Sequence, residues 1–217
     1  MNTLKFVDGH LHDLALAQIA LNCPLFSNEA HRNNPYLLIE SFFQYTTPFG
    51  YRKHLLLWFR YALNEDTCHP KAIELVFLYK QYQNLLNAGY LIAVGDITYI
   101  PEPTSPSNKL FGHWLLEVST KHSMGYQAIV NHEIHLLGDE ERNNPMAFLK
   151  QALNLKAVVN LRFGLKEWFE AALTENDSIA SLDKEYLFDM FETLQKITEA
   201  LYLIIVPPFL FENDKKY

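Results

Sequence analysis

Four features of this chain combine residue types and spacings that could carry chemistry. Near one end, "VDGHLH" puts His10 and His12 two apart. Farther on, "HEIH" puts His132 and His135 three apart. "RKHLLLWF" and "RFGLKEWF" each set an arginine, Arg52 and Arg162, one turn ahead of a leucine and two aromatics. On a β-strand, residues two apart face the same way, so His10 and His12 could share a metal. On an α-helix they point about 200° apart and could not, whereas the i, i+3 pair His132 and His135 would share one face. A half-buried arginine needs an anion or carbonyl partner, so Arg52 and Arg162 are candidate anion- or partner-binding residues, or interhelical salt bridges.

The wording "VDGHLH" resembles the first-strand His-x-His motif of amidohydrolase-type metal hydrolases. The next ten residues, "DLALAQIALN", are rich in the strongest helix formers. A barrel of that type also needs about 250 residues of alternating strands and helices. The segment is therefore read as the entry to a helix. A helical metal site remains the alternative. His132 and His135, with His12 or His122 as a third ligand, loosely resemble the three-histidine sites of DinB-like helical bundles, which would hold zinc or a similar divalent ion. "HEIH" is one residue shorter than the zincin motif, and Glu-x-x-His does not occur.

The elements that would position these residues come from an internal repeat. "RNNPYLLIESFFQYTTPFGYRKHLLLWFRYALNED" (32–66) aligns without gaps with "RNNPMAFLKQALNLKAVVNLRFGLKEWFEAALTEN" (142–176), at 11 identities in 35 positions. The identities include Arg52/Arg162, Leu55/Leu165, Trp58/Trp168 and Phe59/Phe169. Two extra residues later, "AGYLIAV" (88–94) matches "ALYLIIV" (200–206). In each copy RNNP offers an asparagine cap with proline at the first helical position. The retained positions of RxxLxxWFxxAL recur with a period near 3.5, which is one apolar stripe of a helix. The tryptophans lie in that stripe and are read as core anchors. Long helices are expected at about 70–90 and 182–206, leading helices at 12–22 and 122–137, and a solvated turn at "GDEER" (138–142).

The fold class expected is all-α. About eight helices would be built from a tandem duplication, 1–94 and 110–217, and packed about a pseudo-twofold axis as one globular domain. A Pro-rich linker, 95–109, would join the copies, with a short strand near Ile97–Ile100.

Composition narrows the function. The chain has 217 residues, 49% hydrophobic and 14% aromatic, with a formal charge of −7. That is a packing composition with no basic field for nucleic acid. Two cysteines, Cys23 and Cys68, make no disulfide framework, and no signal peptide or bilayer-length apolar run occurs, so a cytoplasmic location is expected. The layout also resembles the all-α HEPN family, whose ribonuclease members carry Arg-x(4–6)-His. Here the histidine after Arg52 is His54, the one after Arg60 is His69, and none comes after Arg142 or Arg162. The resemblance implies at most an inactive, nucleic-acid-associated relative. With no nucleophile elbow, Walker loop or dinucleotide fingerprint, the leading reading is a non-catalytic interaction or scaffold protein. It would work through a protein partner or self-association, with no cofactor.

Overall fold

The computed structural model of the chain describes residues 34–63, 72–95, 133–174 and 184–205. Among them are seven α-helices and no strand: α1 Tyr36–Tyr45, α2 Pro48–Ala62, α3 Ala72–Gly95, α4 Asp139–Asn143, α5 Pro145–Ala152, α6 Leu155–Leu173 and α7 Lys184–Ile205. The helix expected at 12–22, most of that at 122–137 and the strand at 97–100 lie outside the described residues.

Local chemistry explains where these helices start. Asn144 caps α5 by accepting from Ala147 N at 3.1 Å, with Pro145 at the first position. Asn34 accepts from Tyr36 N at 3.1 Å at the corresponding start of α1. Thr47 and Asn154 do the same for α2 and α6, through Gly50 N and Ala157 N. "GDEER" is a short helix, not the expected turn: Glu141 Oε2 reaches back to the Gly138 N–H at 2.8 Å and ties its first turn.

The helices pack across the two halves of the sequence. Helix α2 lies against α6 and α7, and α6 lies against α3; α1 packs on α3, and α5 on α7. One core draws on both halves. Trp58 and Trp168 meet edge to face at its centre, 6.2 Å between centroids, and Trp58 Nε1 donates to the Trp168 carbonyl at 3.3 Å. Both are fully buried, as an apolar stripe requires. Helix α3 comes close to its neighbours at Gly89, where an added Cβ would sit 2.8 Å from Leu153 Cδ1 and 3.2 Å from Leu201 Cδ1.

The leading helix does not extend to residue 137 as expected. Ile134–Leu137 are not helical, because their backbone groups are bound elsewhere. The N–H groups of His135, Leu136 and Leu137 donate to the Glu199 carboxylate at 3.0, 2.9 and 3.1 Å. The carbonyls of Ile134 and Leu137 accept from the Arg142 guanidinium at 3.3 and 2.8 Å. A helix would have used those groups internally.

Candidate functional site

Two arginine-centred clusters join the halves. Arg52, on α2, directs Nη2 to Glu199 Oε1 of α7 at 2.6 Å and to the Glu133 carbonyl at 3.4 Å. The Glu199 side chain is 2% exposed and that of Arg52 is 21% exposed. With the three N–H groups of 135–137, the carboxylate accepts four hydrogen bonds, which satisfies a buried charge. Glu133, also buried, accepts from Phe49 N at 3.0 Å and so places a carboxylate at the N-terminus of α2, where the helix dipole favours it.

Arg162, on α6, makes the second cluster. Its Nε donates to Gln83 Oε1 at 2.6 Å and its Nη1 to Asn87 Oδ1 at 3.3 Å, both on α3. Gln83 returns a bond from Nε2 to the Arg162 carbonyl at 3.4 Å. The two arginines singled out from sequence thus sit half-buried at helix crossings.

The histidines are distributed differently. His135 is exposed and non-helical, so the helix-face argument for pairing it with His132 loses its basis at that residue. His132, His12 and His122 lie outside the described residues. Among the described residues no group of three potential metal ligands comes together.

Buried tyrosines form a third polar layer. The Tyr51 hydroxyl donates to the Phe42 carbonyl at 2.6 Å, and its ring stacks on Phe42 at 3.7 Å. The Tyr82 hydroxyl is buried without a hydrogen-bond partner. Thr198 lies beside it outside hydrogen-bonding geometry and donates its own proton to the Leu194 carbonyl at 2.8 Å. Burial pushes both hydroxyls well above the ordinary tyrosine pKa, and for Tyr51 the neighbouring Tyr82 and Tyr45 add to the rise. These are packing groups with no acid–base role near neutrality.

Among the described residues, a concave feature lies between α2, the end of α1 and the start of α3. It is a cleft of about 480 Å³. Its walls include His54, Leu57 and Tyr61 from α2, Tyr45 from α1, and Ile73 and Phe77 from α3, over a floor edged by Trp58. Three of these are large apolar side chains left in solvent: Ile73 is 72% exposed, Tyr45 51% and Leu57 41%. Glu74 stands on the α3 wall. A second groove, between α5 and α7, is a solvated charged surface, where Lys196 pairs with Glu141 at 3.7 Å and Glu192 at 3.3 Å.

Sequence reasoning reached Arg52, Arg162 and the tryptophans but missed Glu199 and the cleft. Glu199 left a trace: it is a lone charge in the apolar end of α7, directly before "ALYLII". The cleft left none, since it arises from the angles at which three consecutive helices, α1, α2 and α3, diverge. Comparison of the chain with protein-family models, curated proteins and solved structures finds no match. Among the described residues, no helix is long and apolar enough to cross a membrane.

Proposed function

We propose that the chain is a non-catalytic, all-α interaction protein, built by tandem duplication, that receives an apolar side chain of a protein partner in the α2/α3 cleft. The observation that carries the reading is the cleft: concave, aromatic-walled and rimmed by exposed Ile73, Tyr45 and Leu57. Buried anchors seated in such depressions dominate binding energy at protein interfaces, and the volume is in the range that accepts a bulky group.

The duplication is supported by contacts that recur under the sequence register, an offset of 110 before the two-residue insertion and 112 after it. In that register Arg52–Glu199 corresponds to Arg162–Asn87, each linking one copy to the other. The Phe59–Phe191 stack, 5.3 Å, corresponds to Phe169–Tyr79, 4.7 Å. Trp58–Trp168 and Gly89–Leu201 are self-corresponding pairs, and both are close contacts. This is the pattern of a pseudo-twofold axis between the copies. A scaffold role is the consequence: the polar groups of the core link helices to one another, and the cleft faces outward.

A random-peptide display selection tests the docking reading. Immobilised wild type enriches a peptide family that the Leu57→Glu/Ile73→Glu variant does not. Failure to enrich, or equal enrichment on the variant, contradicts it.

A further inference from the structure

The Glu199 carboxylate is held as a bound anion is held. Three successive N–H groups, those of His135, Leu136 and Leu137, donate to it at 3.0, 2.9 and 3.1 Å, and Arg52 Nη2 donates at 2.6 Å. Successive main-chain N–H groups that converge on one point make an anion-binding concavity. A guanidinium beside it is the side chain best matched to a carboxylate.

The frame of this site does not depend on the carboxylate. The Arg142 guanidinium holds the carbonyls of Ile134 and Leu137 at 3.3 and 2.8 Å, and the side chains of both residues are buried in the core. Arg52 Nη2 also donates to the Glu133 carbonyl at 3.4 Å, and the Glu133 carboxylate accepts from Phe49 N, three residues before Arg52. The strap that supplies the N–H groups and the arginine that completes the site each have anchors of their own.

The tethered carboxylate leaves one donor unused. On a guanidinium, Nε and Nη2 share an edge, and that edge takes a carboxylate through two parallel bonds. Here Nη2 reaches Glu199 while Nε is buried without a hydrogen-bond partner. Arg162 does use that atom, since its Nε donates to Gln83 Oε1 at 2.6 Å. Gln195 stands in the register of Gln83, 112 residues on, yet it does not accept from Arg52 Nε. Attachment to α7 limits how far the Glu199 carboxylate can turn toward that edge; a free carboxylate has no such limit.

We infer that Arg52 and the N–H groups of His135, Leu136 and Leu137 form a preorganised receptor for a small carboxylate, with Glu199 as its tethered ligand. With the side chain removed beyond Cβ, the receptor accepts formate, the carboxylate without a chain. Acetate fits less well, because its methyl would fall where the Glu199 Cγ stood, at bonding distance from the remaining Cβ. Formamide does not replace formate, because its amide nitrogen would face donors.

Chemical rescue of Glu199→Ala tests this. Urea unfolding of the variant is followed by tryptophan fluorescence in sodium formate, in sodium acetate, in sodium chloride at equal ionic strength and in formamide. Formate at about 100 mM is expected to raise the folding equilibrium constant about tenfold over chloride, as a dissociation constant of about 10 mM requires. Acetate gives a smaller gain and formamide none. Wild type, whose receptor is filled, gains nothing over chloride, and neither does the Arg52→Ala/Glu199→Ala double variant, which lacks the guanidinium. In the isotope-labelled single variant, formate returns the amide resonances of His135, Leu136 and Leu137 toward their wild-type positions. If Glu199→Ala is unfolded in buffer, the same comparison is made in sucrose, which favours the compact state without supplying an anion. A formate gain no larger than that of chloride, an equal gain in wild type or in the double variant, or amide resonances that do not move overturns the inference.

Discussion

Removing the Glu199 carboxylate is the perturbation to which the fold should be most sensitive. Glu199→Ala leaves Arg52 with its ion-pair partner gone and strands the N–H groups of His135, Leu136 and Leu137. Breaking a buried pair by deleting one member costs about 3–5 kcal/mol. Each stranded N–H would add about 1 kcal/mol or more if it stayed dry. Arg52 is 21% exposed, so water reaches the guanidinium and relieves part of this. The net loss is then about 3–4 kcal/mol, a large share of the 5–15 kcal/mol typical of a domain. Glu199→Gln should be nearly as costly, because its amide nitrogen would face donors and only one oxygen could accept. Urea unfolding read by tryptophan fluorescence measures it, since Trp58 and Trp168 are two of the three tryptophans and both are buried. A double-mutant cycle with Arg52→Ala should give a coupling of about 1–3 kcal/mol. A loss below about 1 kcal/mol for Glu199→Ala, or a coupling near zero, would refute the reasoning.

The tyrosine layer gives two further expectations. Tyr82→Phe removes a buried hydroxyl without a partner and should be neutral or stabilising, whereas Tyr51→Phe strands the Phe42 carbonyl and should cost about 1–2 kcal/mol; the same urea curves separate them. Both hydroxyls stay protonated in the fold above the pH at which an unfolded tyrosine ionises, about 10. Above that pH the unfolded chain binds fewer protons than the folded one, so these groups' contribution is constant below about pH 10 and falls as pH rises, by about 1.4 kcal/mol per unit for each tyrosine. Tyr82→Phe should make the alkaline limb of a stability–pH curve shallower; an unchanged slope would contradict the assignment.

Much of the helical layout was legible because its signals are local. The apolar period and the RNNP caps placed α1, α2, α5 and α6, and the long helices α3 and α7 begin and end within a few residues of expectation. Ile134–Leu137 departs from the expected helix because the carboxylate that captures its N–H groups lies 62–64 residues away. Periodicity carries no information about a contact of that range. "GDEER" departs from the expected turn for a local reason: Glu141 is three residues after Gly138, a capping arrangement hidden within a run of charges. Arg52 and Arg162 were legible because arginine in an apolar stripe demands a partner. Their partners Glu199, Gln83 and Asn87 were not, since they lie 75 to 147 residues away along the chain. "VDGHLH" and three of the four candidate metal ligands lie outside the described residues, so their weight rests on sequence alone.

The central claim is that the working surface is the α2/α3 cleft and not its register-equivalent on α6 and α7. Amide chemical-shift mapping, with a display-selected peptide titrated into the labelled chain, tests it most directly. The account predicts that the largest shifts fall on residues 53–61 and 73–78. Shifts concentrated instead on residues 163–171 and 185–190, or scattered without focus, would contradict it.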